Sequence, residues 1–241
     1  MIDSAPPPLD LQPLTAADVM RLRGVGFFVP FGRETQARLF SEARVITAGP
    51  FRTLFEQEEP ARFLWVVIEG MVGLVAAIGP GESCLVELAG PAQVIGEAGL
   101  FDSRRYPVAA RAVTDVRLAL IPATAILACI ESEPALRRHM LGFLSGRLHA
   151  LVRQISLLNL MSAPQRLANF LLGLTGRRIG AQTVTLACDR RVIADLLGMT
   201  PESLSRSLRR LRELGVRSQG KRTIVVADPE LLRRFSEGEP A

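Results

Sequence analysis

The sequence predicts an α+β protein with a strand-rich N-terminal part, a long helix, and a C-terminal part in which a helical hairpin precedes a small β-hairpin. Three observations support this prediction. Short apolar stretches separated by Gly and Pro fill residues 44–122, aliphatic residues with heptad spacing fill 134–160, and two short amphipathic segments separated by Gly198 fill 190–214. The first pattern is typical of a sandwich or barrel, the second of a long paired helix, and the third of a helix-turn-helix.

Length and composition indicate two domains of an ordinary globular protein. The chain has 241 residues, of which 48% are hydrophobic, and no apolar run reaches the roughly 18 residues of a membrane span. Residues 1–10 are acidic and rich in proline, unlike a signal peptide. We therefore expect a cytoplasmic protein with no membrane partner. The predicted divisions are a loose arm that includes one short helix, a β domain, a dimerisation helix, a winged helix-turn-helix and a tail, at residues 1–24, 25–133, 134–160, 161–232 and 233–241.

Cysteine is too sparse for a disulfide framework or a four-cysteine metal site. The three cysteines, Cys84, Cys129 and Cys188, are far apart, and the two histidines are His139 and His149. An odd, sparse set of cysteines argues against a disulfide framework, and it excludes a four-cysteine iron–sulfur or zinc site within one chain. The sequence also has no paired-carboxylate, triad, phosphate-loop or metal pattern of an enzyme, so no catalysis is expected.

Positive charge is concentrated in the C-terminal third of the chain. The net charge is +5, and residues 161–229 contain 12 Lys and Arg against 5 Asp and Glu, whereas residues 1–160 contain 15 Arg against 16 Asp and Glu. A basic region on a nearly neutral body indicates a polyanionic partner such as nucleic acid, although a solvated charged surface has the same composition.

The predicted long helix over residues 134–160 carries a seam of aliphatic residues spaced three and four apart. Such a seam is typical of helices that pair in a coiled coil. We expect it to form a homodimer interface; the alternative is that it packs against the β domain of the same chain. The seam residues are Leu141, Leu144, Leu148, Leu151, Ile155 and Leu158.

The helical hairpin near the C-terminus has the boundary signals and the two faces of a DNA-reading element. Gly198 ends a first helix over residues 190–197, and Thr200 with Pro201 begins a second helix that runs to about residue 214. The face toward the first helix is apolar and consists of Leu204, Leu208 and Leu211. The opposite face is polar and consists of Glu202, Ser205, Arg206 and Arg209.

The polar face of the second helix can recognise double-stranded DNA. Arg206 can donate two hydrogen bonds to guanine, Glu202 can accept one from cytosine, and Ser205 can contact either base type. A β-hairpin over residues 216–228, with its turn at Gly220, would add a basic wing. Residues better placed for phosphate are Arg190, Arg191, Thr200, Ser203, Arg209, Arg210, Arg217, Lys221 and Arg222. The alternative is a helical hairpin with a charged surface that does not bind DNA.

This order of parts resembles the Crp/Fnr transcription regulators over residues 25–232. The most specific stretch is 190–206, and within it residues 202–206 resemble the Fnr-type recognition helix, which reads a TTGA-type half-site. The resemblance implies a β-roll of the cyclic-nucleotide-binding jelly-roll type, a homodimer that binds an inverted repeat, and an activator that contacts RNA polymerase. It places the chain nearer the Fnr, Dnr and FixK-like branches than the cyclic-AMP receptors, which usually have glycine at the position of Ser205.

The resemblance also bears on the effector of the β-roll. Residues 96–101, which begin with Gly96 and Glu97, look like the start of the family's phosphate-binding cassette. Tyr106-Pro107 stands where cyclic-nucleotide binders have Arg followed by Ser or Ala. Neither residue is a cationic donor to phosphate, and Arg105 would face the other side of a strand. Cyclic-nucleotide binding is therefore not expected, and Glu97 is assigned structural hydrogen bonds.

Several alternatives for regulation and function stay open in the sequence. A haem could use a single histidine or cysteine, although both histidines lie on the predicted long helix. Cys188 would be redox-sensitive if nearby cations lowered its pKa, although a half-buried structural cysteine is the simpler interpretation. Regulation by abundance needs no effector. The competing functions are a cyclic-nucleotide-binding module that controls another system, and a scaffold whose basic face binds RNA or an acidic protein.

Overall fold

The chain divides into two compact units, residues 1–146 and 147–241. The computed structural model describes residues 10–79, 82–175, 180–220 and 222–238, apart from the side chains of 78, 79, 82 and 153–159. Within these ranges no helix is both long and apolar enough to cross a membrane.

The first unit combines antiparallel strands with short helices. Its strands are β1 Gln12–Pro13, β2 Arg44–Ala48, β3 Thr53–Phe55, β4 Phe63–Glu69, β5 Val72–Gly79, β6 Glu82–Ala89, β7 Val94–Ile95, β8 Ala109–Ala112 and β9 Val116–Pro122. Its helices are α1 Ala16–Arg23, α2 Arg33–Glu42, α3 Glu97–Phe101 and α4 Ala123–Ser132, followed by the start of α5 Pro134–Leu160.

These strands form two sheets that share one apolar core. The strand orders are β1-β2-β9-β4-β7 and β3-β8-β5-β6, and every pairing is antiparallel. The central strands β4 and β9 are buried along most of their length, and α1, α2 and α4 pack against them. A strand covered on both faces needs a continuous apolar run, which explains the uninterrupted sequence of residues 63–68. The predicted strand-rich domain is confirmed.

The described residues of the arm include the short helix that the sequence predicts, but this helix is held against the unit and is not loose. Strand β1 pairs with β2, and Thr15 caps α1 through reciprocal hydrogen bonds with Asp18. The carboxylate of Asp18 accepts from Arg117 Nε at 3.0 Å and Nη2 at 2.7 Å, and Leu22 is fully buried. These contacts anchor α1 to β9, nearly a hundred residues away in the sequence, so no local pattern could predict them. Helix α2 was not predicted.

Helix α5 confirms the predicted long helix over residues 134–160. Its first turns belong to the core of the first unit, because Leu136 and Met140 are 1% and 3% exposed. Further along, Leu141, Leu148 and Leu151 are exposed within the single chain. The helix continues beyond residue 146, where the second unit begins.

The second unit is a helical domain with a three-stranded sheet. Its elements after α5 are α6 Ala163–Thr175, β10 Gln182–Thr185, α7 Arg190–Leu196, α8 Pro201–Leu211, a 3-10 turn Arg212–Leu214, β11 Val216–Gln219, β12 Thr223–Val226 and α9 Pro229–Ser236. The sheet order is β10-β12-β11, so the predicted wing hairpin is paired by the strand that precedes the helical hairpin. Asp228 caps α9, and Leu232 and Ser236 are buried. The predicted tail from residue 233 is therefore wrong for residues 233–236, which complete α9.

Candidate nucleic-acid interface

The turn between α7 and α8 has the backbone conformation that its sequence predicts. Gly198 has φ +60°, a left-handed conformation that favours glycine. The hydroxyl of Thr200 accepts a hydrogen bond from Ser203 N at 3.2 Å, and Pro201 occupies the first helical position, where no amide hydrogen is needed. Helix α8 therefore begins where the sequence predicts, directly after the cap at Thr200.

The inner face of α8 holds the helix against its own domain. Leu204, Leu208 and Leu211 are buried, with exposed fractions of 8% or less. Ser207 is buried beside them, and its hydroxyl donates to the carbonyl of Ser203 at 2.8 Å, so its polar atom is satisfied. This packing leaves the opposite face of the helix without any role in the core.

The outer face of α8 presents the three residues predicted to read bases. Glu202, Ser205 and Arg206 are all exposed. The backbone amide of Glu202, the hydroxyl of Thr200 and the charge of Arg206 lower the pKa of the Glu202 carboxyl, so it is ionised and accepts hydrogen bonds at neutral pH. The Ser205 hydroxyl donates to Pro201 O at 3.0 Å and keeps its oxygen available as an acceptor.

The predicted phosphate-binding residues fall into two groups. Arg191, Arg209, Arg210 and Arg217 are exposed at the surface of the second unit, and Thr200 and Ser203 form the start of α8. The other group consists of residues that brace the wing. Lys221 lies outside the described residues.

Two arginines of the second group connect the start of α7 to the β-hairpin. Arg190 donates through Nη2 to the carbonyl of Gly220 at 3.1 Å, and Arg222 donates through Nε and Nη2 to Asp189 Oδ1 at 3.1 and 2.8 Å. Gly220 itself has φ +81°, which fits the hairpin turn. Both guanidinium groups therefore hold the wing against the helical hairpin, a function that sequence reasoning missed because it assigned them only to phosphate.

Comparison with known proteins matches two parts of the chain to two different domain families. Residues 165–235 match the Crp-like helix-turn-helix domain family, and residues 46–133 match the cyclic nucleotide-binding domain family. The nitrogen fixation regulation protein FixK of Azorhizobium caulinodans is 31% identical over 190 residues, which cover 76% of this chain and 75% of FixK. The chain belongs to the Crp/Fnr family.

The chain is also similar to other regulators and to a solved structure of this family. The CRP-like cAMP-activated global transcriptional regulator of Mycobacterium tuberculosis is 28% identical over 187 residues, covering 76% of this chain and 83% of that protein. The structure of FixK2 from Bradyrhizobium japonicum superposes with a TM-score of 0.71 at 25% identity, covering 83% of this chain and 98% of FixK2. This Crp/Fnr protein is therefore a DNA-binding transcription regulator.

The β-roll of this Crp/Fnr protein buries Tyr106, the residue that the sequence analysis compares with the phosphate arginine. Tyr106 is 2% exposed, and its ring stacks on Phe55 with 3.8 Å between the ring centroids. Its hydroxyl accepts from Trp65 Nε1 at 2.9 Å and donates to the carbonyl of Phe63 at 2.8 Å. Burial raises the pKa of the Tyr106 hydroxyl, so it remains a neutral donor and acceptor.

The ring of Tyr106 also lies close to Gly96, the first residue of the predicted phosphate-binding cassette. A Cβ placed on Gly96, which has φ +81°, would lie 2.8 Å from Cε1 of Tyr106. The structure thus brings Gly96 and Tyr106 together, with Glu97 buried next in the chain. Arg105 is exposed, and its guanidinium contacts the carbonyl of Glu58. These residues do not fit a cyclic phosphate, because the inward-pointing position carries a phenol instead of a guanidinium.

The structure shows the surroundings of Cys188 and of the two histidines, which the sequence analysis considers for redox or haem chemistry. Cys188 is 1% exposed, and burial raises the pKa of its thiol, which contradicts the hypothesis of a lowered pKa. Nε2 of His139 lies 3.2 Å from the carbonyl oxygen of Phe27. His149 is exposed on α5.

The predicted seam of α5 is largely free in the single chain. Leu141, Leu148 and Leu151 are 71%, 60% and 42% exposed, and Leu144 is partly exposed. The side chains of Ile155 and Leu158 lie outside the described residues. The alternative that the seam packs against the β domain is therefore not supported for Leu141, which lies in the same unit as that domain.

Proposed function

We propose that this protein acts as a homodimer that binds an inverted repeat of TTGA-type half-sites, each read by Glu202, Ser205 and Arg206. The observation that carries the proposal is the division of α8 into a buried leucine face and an exposed face with an acid, a hydroxyl and a guanidinium. An α-helix with such a face fits the major groove, where each base pair presents a distinct pattern of donors and acceptors.

The chemistry of the exposed face fits direct base recognition. Arg206 would donate two hydrogen bonds to O6 and N7 of guanine, and the ionised Glu202 would accept from N4 of cytosine. Each such contact is worth about 1–3 kcal/mol of discrimination against a wrong base. Arg191, Arg209, Arg210 and Arg217 would contact phosphate and set the position of the helix without selecting sequence.

Dimerisation is proposed to occur through the exposed leucines of α5. An exposed row of large apolar residues with heptad spacing on one helix is typical of a surface covered by a second copy. Two copies related by a twofold axis would present two recognition helices to half-sites about one helical turn apart. The palindromic site follows from the symmetry of such a dimer.

The β-roll is proposed to work without a cyclic nucleotide. The family match over residues 46–133 favours a nucleotide pocket, whereas the buried Tyr106 occupies the inward position that a phosphate arginine would need. Calorimetric titration of the purified protein with cyclic AMP and cyclic GMP is expected to give no binding heat. A clear isotherm would instead support the second candidate function, a cyclic-nucleotide-controlled regulator.

We propose that the protein activates transcription through contact with RNA polymerase. We also propose that it works in the cytoplasm, where a chromosomal regulator meets its DNA.

The test of DNA recognition is a binding selection from random duplexes, followed by footprints at two salt concentrations. Protection of one inverted repeat at both salt concentrations supports the proposal. Weak, uniform binding that disappears with salt would contradict it and indicate a basic surface without base recognition. Transcription in vitro from a promoter with the selected site distinguishes activation from repression.

A further inference from the structure

The first turn of α6 contains an arginine whose guanidinium contacts three separate backbone carbonyls. Arg166 donates through Nε to Leu197 O at 2.9 Å, through Nη2 to Gly198 O at 3.2 Å, and through Nη1 to Met161 O at 2.9 Å. Sequence analysis gave no role to this residue, because its partners are backbone atoms that carry no sequence signal.

The three carbonyls belong to two functionally different places in the second unit. Leu197 and Gly198 form the turn between α7 and α8, where the carbonyls at the end of α7 lack partners within their own helix. Met161 directly follows α5, the helix that carries the leucine seam. One planar side chain therefore joins the end of the proposed dimer helix to the turn from which the recognition helix begins.

Neighbouring contacts hold the first turn of α6 in place. Gln165 Oε1 accepts from the amide and the hydroxyl of Ser162 at 2.9 and 2.7 Å, which caps the start of the helix. Nε2 of Gln165 donates to the carbonyl of Phe235 near the end of α9 at 3.4 Å. The base of the Arg166 side chain is thus fixed on a capped helix, and its guanidinium has little freedom to leave the turn.

We propose that Arg166 is a positioning residue that fixes the recognition helix relative to the end of α5, and that it thereby sets the half-site spacing accepted by the dimer. The inference rests on the proposed homodimer. Its physical basis is the fixed fork of the guanidinium, whose several N–H groups can reach carbonyls in different directions at once. Lysine keeps the charge but has one compact ammonium group on a flexible stem, so it cannot maintain all three contacts.

The experiment compares the full-length wild type with Arg166→Lys and with a matched control, Arg233→Gln. Arg233 lies on α9 of the same unit and pairs with Glu230 on the surface at 2.6 Å. Dissociation constants are measured on the selected operator and on operators whose half-sites are moved by one or two base pairs. Binding to a scrambled duplex measures the affinity for DNA without the half-sites. Thermal melting and near-UV circular dichroism report whether each variant is folded.

The expected result is a selective loss of spacing preference. Arg166→Lys should lose about tenfold in affinity for the best spacing, since hydrogen bonds from a charged group are lost, and much less for the moved half-sites. Binding to the scrambled duplex should be unchanged. Arg233→Gln should keep the wild-type spacing preference.

Three outcomes would overturn the inference. An unchanged spacing preference in Arg166→Lys would show that the three contacts do not position the recognition helix. An equal loss on all operators, with a lower melting temperature, would show that Arg166 only stabilises the domain. A wild type without preference for any inverted repeat would refute the proposed function, and this inference with it.

Discussion

The leucine seam of α5 gives a quantitative prediction through the substitution Leu148→Asp. Leu148 is 60% exposed in the single chain. Full burial of a leucine side chain contributes about 1.5–3 kcal/mol, so covering the exposed part contributes about 1–2 kcal/mol. The residue occurs once in each protomer of a symmetric dimer, and the combined contribution is about 2–4 kcal/mol.

This free energy determines how far the dimer should dissociate. Because each 1.4 kcal/mol corresponds to about a tenfold change in an equilibrium constant, loss of the leucine contact alone should raise the dimer dissociation constant about 30-fold to 700-fold. Aspartate adds the cost of placing a carboxylate at an apolar contact next to its own copy. We therefore expect Leu148→Asp to be monomeric at micromolar concentration and to lose operator binding.

Sedimentation velocity over a range of protein concentrations measures this change directly. The matched control is His149→Asp, which places the same side chain on the same helix, one position away from the seam and on an exposed residue. The control should sediment as the wild type does. If Leu148→Asp sediments as an intact dimer at the lowest concentrations, α5 is not the dimer interface.

Three further predictions follow from the recognition helix, the β-roll and the anchor of α1. Arg206→Ala should relax base choice at one position in each half-site by about 1–3 kcal/mol, measured by binding selection. Tyr106→Phe should lower the free energy of unfolding by about 1–3 kcal/mol, measured with urea, because Trp65 Nε1 loses its buried acceptor. Arg117 holds the pKa of the Asp18 carboxyl far below its usual range, so the pair stabilises the fold above the unfolded-state pKa of about 3.9. The unfolding free energy of wild type relative to Asp18→Asn should be constant from about pH 8 to 5 and should shrink as the pH falls further.

Each of these three predictions has an outcome that contradicts it. Unchanged base preference in Arg206→Ala would show that this side chain does not read a base. Wild-type stability of Tyr106→Phe would show that other groups replace the hydrogen bonds of the phenol. Phe55→Leu serves as a control, because it changes the stacked ring and keeps the hydroxyl of Tyr106. A difference between wild type and Asp18→Asn that grows on acidification would show that the pKa shift has the opposite sign.

The elements that were predicted correctly are those whose signals are local. Three local features depend on residues within a few positions of one another. They are the end of α7 just before Gly198, the cap and proline that begin α8, and the apolar face of α8. The heptad seam predicted α5 for the same reason. The exposure of Glu202 and Arg206 followed from helical periodicity once the leucine face was assigned to the interior.

The features that were missed depend on contacts between distant parts of the chain. Asp18 and Arg117 form an ion pair that no spacing in the sequence reveals, so the anchoring of α1 to β9 was missed. Arg166 binds backbone carbonyls, whose positions are fixed only by the folded turn. Cys188 was considered near cations, but its burial dominates, because apolar surroundings disfavour a thiolate more than one neighbouring arginine favours it.

Tyr106 has a consequence for how cells could control this protein. If the β-roll works without a cyclic nucleotide, as proposed, the buried phenol of Tyr106 would complete its packing with no nucleotide bound. The amount of active regulator would then depend on the balance between its synthesis and its proteolysis. It would also depend on the monomer concentration at which the dimer forms. Promoters under such control would respond to changes in the expression and turnover of the regulator, on the timescale of cell growth. They would not follow the rapid rise and fall in the concentration of a nucleotide messenger.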